Sequence, residues 1–171
     1  LFDIDGNVTT VSGFAKTPTM LTGQVAFGDL AGNGEQNIVV STWDDLYRDK
    51  NAVRCYSPFD KDGDHKPDLL WEKKIPYSMF QSPVIANLDG SSDGTMEVII
   101  KSHQTSDIFI LDHNGNELRR LNPNVADEND HNYSALTVAD LDNDGQMEII
   151  ASYDSLGIYI WRQDGTPFTT N

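Results

Sequence analysis

Between residues 140 and 148 the sequence reads Asp140-Leu-Asp142-Asn-Asp144-Gly145-Gln146-Met-Glu148, with acids at positions 1, 3, 5 and 9 and glycine at position 6. Carboxylates this close repel one another unless a cation lies among them. The glycine supplies a sharp turn, and the carbonyl of Gln146 adds a further oxygen at position 7. Such a set of hard oxygens suits calcium, which takes about 6–8 of them in irregular geometry, whereas magnesium prefers a small octahedron with several waters. The last acid stands at position 9 rather than 12, and strand-like residues flank the loop, so it is not an EF-hand.

Three more loops carry related sets. Asp60, Asp62, Asp64 and Asp68 form a second full one, with Lys66 at the carbonyl position; here Gly63 has moved forward and His65 takes the glycine place. Asn87, Asp89, Asp93 and Glu97 form a third, longer by two residues around Ser91-Ser92, with Asp93-Gly94 retained and Thr95 among its ligands. In the fourth, Asp29, Asn33 and Glu35 remain while Ala31 and Asn37 stand where acids are expected, so a hydrogen-bonded turn without metal is the favoured reading there. Of the 27 Asp and Glu residues, 13 fall in these four loops, so the net charge of −15 reflects clustering as well as solubility. The same charge argues against nucleic acid and anionic membrane surfaces as partners.

The elements that position these loops recur with them. Val25 to Ser41, Val84 to Lys101 and Val138 to Ser152 each run from an apolar strand through an acidic, glycine-containing loop into a β-branched strand (Ile38-Val39-Val40; Val98-Ile99-Ile100; Ile149-Ile150). The starts of the loops, Asp29, Asn87 and Asp140, are 58 and 53 residues apart, room for a four-stranded unit. The second halves repeat too: Asp107 to Asp112 and Gly157 to Trp161 read as strands, each followed by a tight turn at Asn114-Gly115 or Asp164-Gly165. Leu1 to Gly6 matches that second half, so residues 1–20 are expected to end one unit, followed by units at 21–78, 79–130 and 131–171. Helical periodicity is absent over any useful length, and Pro67, Pro76, Pro83, Pro123 and Pro167 fall at loops or strand starts. The expected fold is all-β, a partial β-propeller of about three and a half four-stranded blades with calcium-binding hairpin loops.

The pattern resembles the FG-GAP repeats of integrin α-subunits and of bacterial VCBS-type propellers, and Phe27-Gly28-Asp29 matches the Phe-Gly of the family name. The resemblance implies a calcium cage between the first two strands of a blade and a propeller of about seven blades. It further implies extracellular adhesion or ligand binding, although some bacterial members are polysaccharide lyases. The acidic loop at 60–68 departs from the integrin pattern.

The leading function is therefore a non-enzymatic, calcium-stabilised module for adhesion, ligand binding or assembly, secreted or at the cell surface, where calcium is abundant enough for weak cages. The alternative is a fragment of a carbohydrate-active, lyase-like propeller. Arg119 and Arg120 are the weak candidates for the cation such a lyase needs. His65, His103, His113 and His131 show no ligand spacing and read as solvated loop residues, while Cys55 in Val53-Arg54-Cys55-Tyr56 reads as a small buried residue. No apolar run approaches a membrane span, and no leader pattern is visible. Partners are expected to be a protein or glycan on the face opposite the calcium loops, together with further blades of a parent chain or other copies. That opposite face would be made by 42–51, 75–82, 102–107, 121–134 and 153–157, which carry Trp43, Tyr47, Tyr77, Phe80, His103, His131, Tyr133 and Tyr153.

Overall fold

The structure is a computed structural model and describes residues 20–21, 25–43, 51–64, 67–75, 82–103, 105–123, 134–153 and 157–169. Residues 1–19 of the half-unit expected at the start, His65, Lys66, and the aromatic residues Tyr47, Tyr77, Phe80, His131 and Tyr133 lie outside these residues. All regular elements among the described residues are strands, and they form three antiparallel sheets. The first contains β1 (Met20–Leu21), β2 (Ala26–Gly28), β3 (Asn37–Trp43), β4 (Ala52–Tyr56) and β5 (Leu69–Lys74). Both β1 and β2 pair with β3, so they act as one interrupted edge strand. The second sheet follows the chain through β6 (Val84–Ala86), β7 (Glu97–Lys101), β8 (Ile108–Leu111) and β9 (Glu117–Leu121). The third contains β10 (Leu136–Ala139), β11 (Glu148–Tyr153) and β12 (Gly157–Trp161), with a single bridge from Trp161 to Pro167 where a fourth strand would begin.

The continuous apolar runs in β7 and β8 follow from their position. Side chains alternate between the faces of a sheet, so a strand buried on both sides carries apolar residues at successive positions. Val98, Ile100, Phe109 and Leu111 turn towards the first sheet and meet Leu30, Val39, Val53 and Cys55. Ile99, Ile108 and Ile110 turn the other way, against Leu136, Ile149 and Tyr153 of the third sheet. The Cys55 thiol is fully buried, and burial pushes its pKa up to about 12, which removes it as a nucleophile.

Backbone and side-chain contacts tie neighbouring sheets together at equivalent places. The N–H of Met96 donates to the carbonyl of Leu30 at 3.0 Å, and the N–H of Met147 donates to that of Leu88 at 3.0 Å. Each bond joins the acidic loop of one sheet to that of the next. At the outer strands, Trp71 Nε1 donates to His113 O (2.9 Å) and Arg119 Nη1 donates to Gln163 O (2.7 Å). The acidic loops that join β2 to β3, β6 to β7 and β10 to β11 therefore stand in a row along one edge.

Candidate metal centre

The loop joining β10 to β11 is closed by its own acids. The Asp140 carboxylate accepts from Asp144 N–H at 3.1 Å and Gly145 N–H at 3.0 Å, while Asp144 Oδ1 accepts from Gln146 N–H at 2.8 Å. Glu148 is 1% exposed, and its Oε2 accepts from Leu141 N–H at 2.8 Å. Gly145 has φ +88°, the left-handed turn expected of position 6, and Asn143 also lies in that region at φ +60°. Asp140, Asp142 and Glu148 each bring one oxygen to within 4.8 Å of the others. The guanidinium of Arg162 joins them, with Nη2 2.6 Å from Asp142 Oδ2 and Nη1 3.4 Å from Glu148 Oε1 and 3.5 Å from Asp144 Oδ2. The hydrogen bond to Asp142, followed by the charges of Asp142, Glu148 and Asp144, raises the pKa of Arg162 further.

The loop joining β4 to β5 converges in the same manner, with oxygens of Asp60, Asp62 and Asp68 within 4.8 Å of one another. Asp60 Oδ1 accepts from Gly63 N–H at 2.6 Å, Asp62 Oδ1 from Asp64 N–H at 3.0 Å, and Asp68 Oδ2 from Lys61 N–H at 3.2 Å. Gly63 supplies the positive φ, +82°, from its shifted place. Both loops offer anionic oxygens on a backbone already turned inward, so their donor sets fit a divalent cation.

The loop joining β6 to β7 is different. Asn87 exchanges two hydrogen bonds with Ser91, and Asp93 Oδ1 accepts from Ser91 Oγ, Thr95 N–H and Thr95 Oγ1, which lowers the Asp93 pKa. Its extra residues thus turn the acids onto the loop itself, and Asp89, Asp93 and Glu97 do not form a converging triple like the other two. Burial raises the pKa of Glu97, and the charges of Asp89 and Asp93 add to this, although Leu88 N–H donates to its carboxylate at 2.8 Å.

In the loop joining β2 to β3, Asp29 accepts from Asn33 N–H and Gly34 N–H as Asp140 does from its own loop. Asn33 Oδ1 accepts from Glu35 N–H. Glu35 is engaged by Lys61 Nζ at 2.7 Å and by Ser57 Oγ at 2.7 Å, which together lower its pKa. Asn37 takes over the structural half of the final acid: its Oδ1 accepts from Leu30 N–H at 3.3 Å, as Glu97 and Glu148 do from Leu88 and Leu141. The capping role of position 9 persists there without its charge.

Residues 88–151 match the FG-GAP-like repeat. The FG-GAP-like segment runs from the β6–β7 loop through the β10–β11 loop into β11. Two solved structures, both propeller-like, share the fold. BBS1N, in a crystal of its complex with ARL6DN soaked with lead, aligns with a TM-score of 0.59 at 13% identity over 94% of this chain. The V. cholerae biofilm matrix protein Bap1 aligns with a TM-score of 0.56 at 18% identity over 95% of this chain. The chain spans 45% of the length of the first and 32% of the second. No curated protein sequence matches significantly.

Several sequence expectations need correction or addition. His103 is not solvated but 4% exposed, and Tyr153 is 2% exposed with its hydroxyl donating to Ser106 O, so neither belongs to an open aromatic face. Tyr153 ends β11, and its ring packs in the core shared with the second sheet. Arg120 stacks over Phe109 at 4.3 Å and pairs with Glu117, while Arg119 bonds the next turn, so both hold the fold together. Lys61, Ser57, Asn37 and Arg162 were not legible as loop partners. The signal for Arg162 was its place immediately after a strand that pairs beside Glu148.

Proposed function

We propose that this chain is a segment of a calcium-stabilised β-propeller, about three and a half four-stranded blades, that serves outside the cell as a non-enzymatic module for adhesion, ligand binding or assembly. The observation that carries the reading is the convergence of Asp140, Asp142 and Glu148 oxygens in a hairpin loop of the FG-GAP-like segment. In this reading Asp140, Asp142, Asp144 and Glu148 hold one ion, and Asp60, Asp62, Asp64 and Asp68 hold another. The ion supplies positive charge that lets these acids stay close. Asn87, Asp89, Asp93 and Glu97 would need to turn away from their own loop before they could hold a third. That Bap1 is a biofilm matrix protein supports a place outside the cell. BBS1N in complex with ARL6DN supports a role in holding another protein. The engagement of Arg119 and Arg120 in sheet contacts weighs against the lyase-like alternative.

The partner face in this reading lies opposite the acidic loops. With Tyr153 and His103 buried, it rests on the remaining aromatic residues of the loops at that end. Calcium at a hundredfold excess over Kd stabilises by about 2.7 kcal/mol per ion, which is about 5–10 °C of melting temperature in a chain this size. Differential scanning calorimetry in calcium and in chelator should show a gap of at least this size for the wild type. Asp142→Ala should reduce the gap and Asp29→Ala should leave it unchanged. Superimposable curves in calcium and chelator would sink the calcium reading.

A further inference from the structure

The end of β12 places a permanent cation inside the β10–β11 loop, the third along the edge and below called the third loop. Trp161 is 6% exposed and pairs with Ile149 beside Glu148, so the next residue emerges at the loop. The backbone of Arg162 is fixed by two bonds of its own turn, N–H to Thr166 O at 2.8 Å and O from Gly165 N–H at 2.9 Å. Its guanidinium lies 5.1 Å from the centre of the Phe168 ring. Held in this way, it donates to Asp142 Oδ2 and Glu148 Oε1, while the backbone of the loop occupies Glu148 Oε2 and both Asp140 oxygens. The guanidinium has thus taken carboxylate oxygens that backbone donors leave available.

The equivalent places in the other two sheets differ. Tyr56 pairs with Ile38 and Leu111 with Val98 as Trp161 pairs with Ile149, so Ser57, Asp112 and Arg162 correspond. Ser57 donates a hydroxyl to Glu35 of its loop. The Asp112 carboxylate accepts from Asn114 N–H, Asn116 N–H and Asn116 Nδ2 within its own turn. Of these three positions, the third alone carries a positive charge, and arginine does not lose its charge at any pH a folded protein survives. A separation of 2.6 Å between Nη2 and Asp142 Oδ2 leaves no room for an ion between them.

We propose, building on the calcium reading above, that Arg162 is the resident cation of the third loop, that it competes with a divalent ion for Asp142 and Glu148, and that it thereby sets the concentration at which this loop loads. At low calcium it keeps the acids from repelling one another and the hairpin stays closed. At high calcium the ion displaces the side chain, and the loop exchanges one cation for another without opening.

The test is calcium titration calorimetry on the full chain and on its Arg162→Gln, Arg162→Lys and Asp142→Asn variants, with melting curves in chelator. The third-loop site is the one that Asp142→Asn removes. Arg162→Gln should bind calcium there about tenfold more tightly, since a multidentate charged contact no longer has to be displaced. It should also melt at a lower temperature than wild type in chelator, and the gap should close in saturating calcium, where the ion has displaced the side chain in wild type as well. Arg162→Lys keeps the charge but loses the fork, so it should fall between the two and covers the case in which the glutamine variant does not fold. A third-loop site whose affinity is the same in wild type, Arg162→Gln and Arg162→Lys overturns the competition and leaves the calcium reading standing. Absence of calcium binding in wild type and in both Arg162 variants overturns both. Binding that emerges only in Arg162→Gln supports the competition.

Discussion

At the scale of single residues, the molecule places charges so that few acids depend on one kind of partner. Arg54 is 2% exposed, and its Nε lies 2.6 Å from Glu72 Oε2, with Thr42 accepting from Nη1. Burial alone would raise the pKa of Glu72, but Lys74 and Arg54 outweigh it and hold it below the usual 4.5. A carboxylate with a lowered folded pKa contributes stability that is complete above its unfolded pKa and is lost as pH falls through the folded one. Glu72→Gln should therefore cost about 1–2 kcal/mol at pH 7, between an exposed pair and a buried one because Glu72 is partly open to solvent. The difference between wild type and variant in urea unfolding should begin to shrink near pH 4.5 and vanish below it; a difference that is flat from pH 7 to 3 would assign the effect to packing. Lys101 shows another solution to the same problem. It is fully buried, donates to Ser134 Oγ and Ser152 O, and lies 4.9 Å from the centre of the Tyr153 ring, so a long cationic side chain ties the second sheet to the third.

At the scale of elements, the loops are stacked closely enough that backbone shape decides which residues are allowed. A Cβ on Gly32 would lie 2.6 Å from Gly94 O, and one on Gly90 would lie 2.5 Å from Gly145 O. Both glycines also have positive φ, +65° and +66°. Gly145 has positive φ but nothing within 4 Å of its missing Cβ. Gly145→Ala should thus cost only the left-handed strain, about 1–2 kcal/mol. Gly32→Ala and Gly90→Ala add a backbone clash and should cost about 2–4 kcal/mol. Equal losses at all three positions in denaturant unfolding would show that the loops do not touch in solution. The hairpins themselves were legible because alternation, turn residues and acid spacing all lie within one short segment: Asp140 to Glu148 reads the same in sequence and in structure. The partners of the loops were not, because Arg162, Lys61 and Ser57 arrive from other strands, and no local pattern says which side chain crosses to which loop. The two additional residues near Ser91 were visible as an insertion, but their effect, turning Asp93 onto Ser91 and Thr95, depends on backbone geometry that spacing does not contain.

At the scale of the whole molecule, the contacts between the first and second sheets are repeated between the second and third, and the third sheet presents the same face again to solvent. Leu141 corresponds to Leu30 and Leu88, which the neighbouring loop buries to 1% and 2%, yet Leu141 is 41% exposed. Ile158 corresponds in register to Val53 and Ile108, both fully buried, and is 71% exposed. Asn143, with its Cβ, stands where Gly32 and Gly90 admit the next loop, so whatever covers this face approaches less closely at the loop than the first two sheets approach each other. An apolar face of this kind drives association, and a net charge of −15 opposes it over a distance that salt shortens. The isolated 171-residue chain should accordingly be monomeric at low ionic strength and self-associate as salt is raised to about 0.15 M or beyond, where the Debye length falls to about 8 Å. Sedimentation velocity across a concentration series would show this, and Ile158→Lys or Ile158→Glu should return the chain to monomer under the same conditions, with melting temperatures at low ionic strength unchanged because this side chain is not buried within one copy. Association that persists unchanged in both variants would place the contact elsewhere, and a wild-type chain that stays monomeric at every salt and protein concentration would show that charge repulsion outweighs this face.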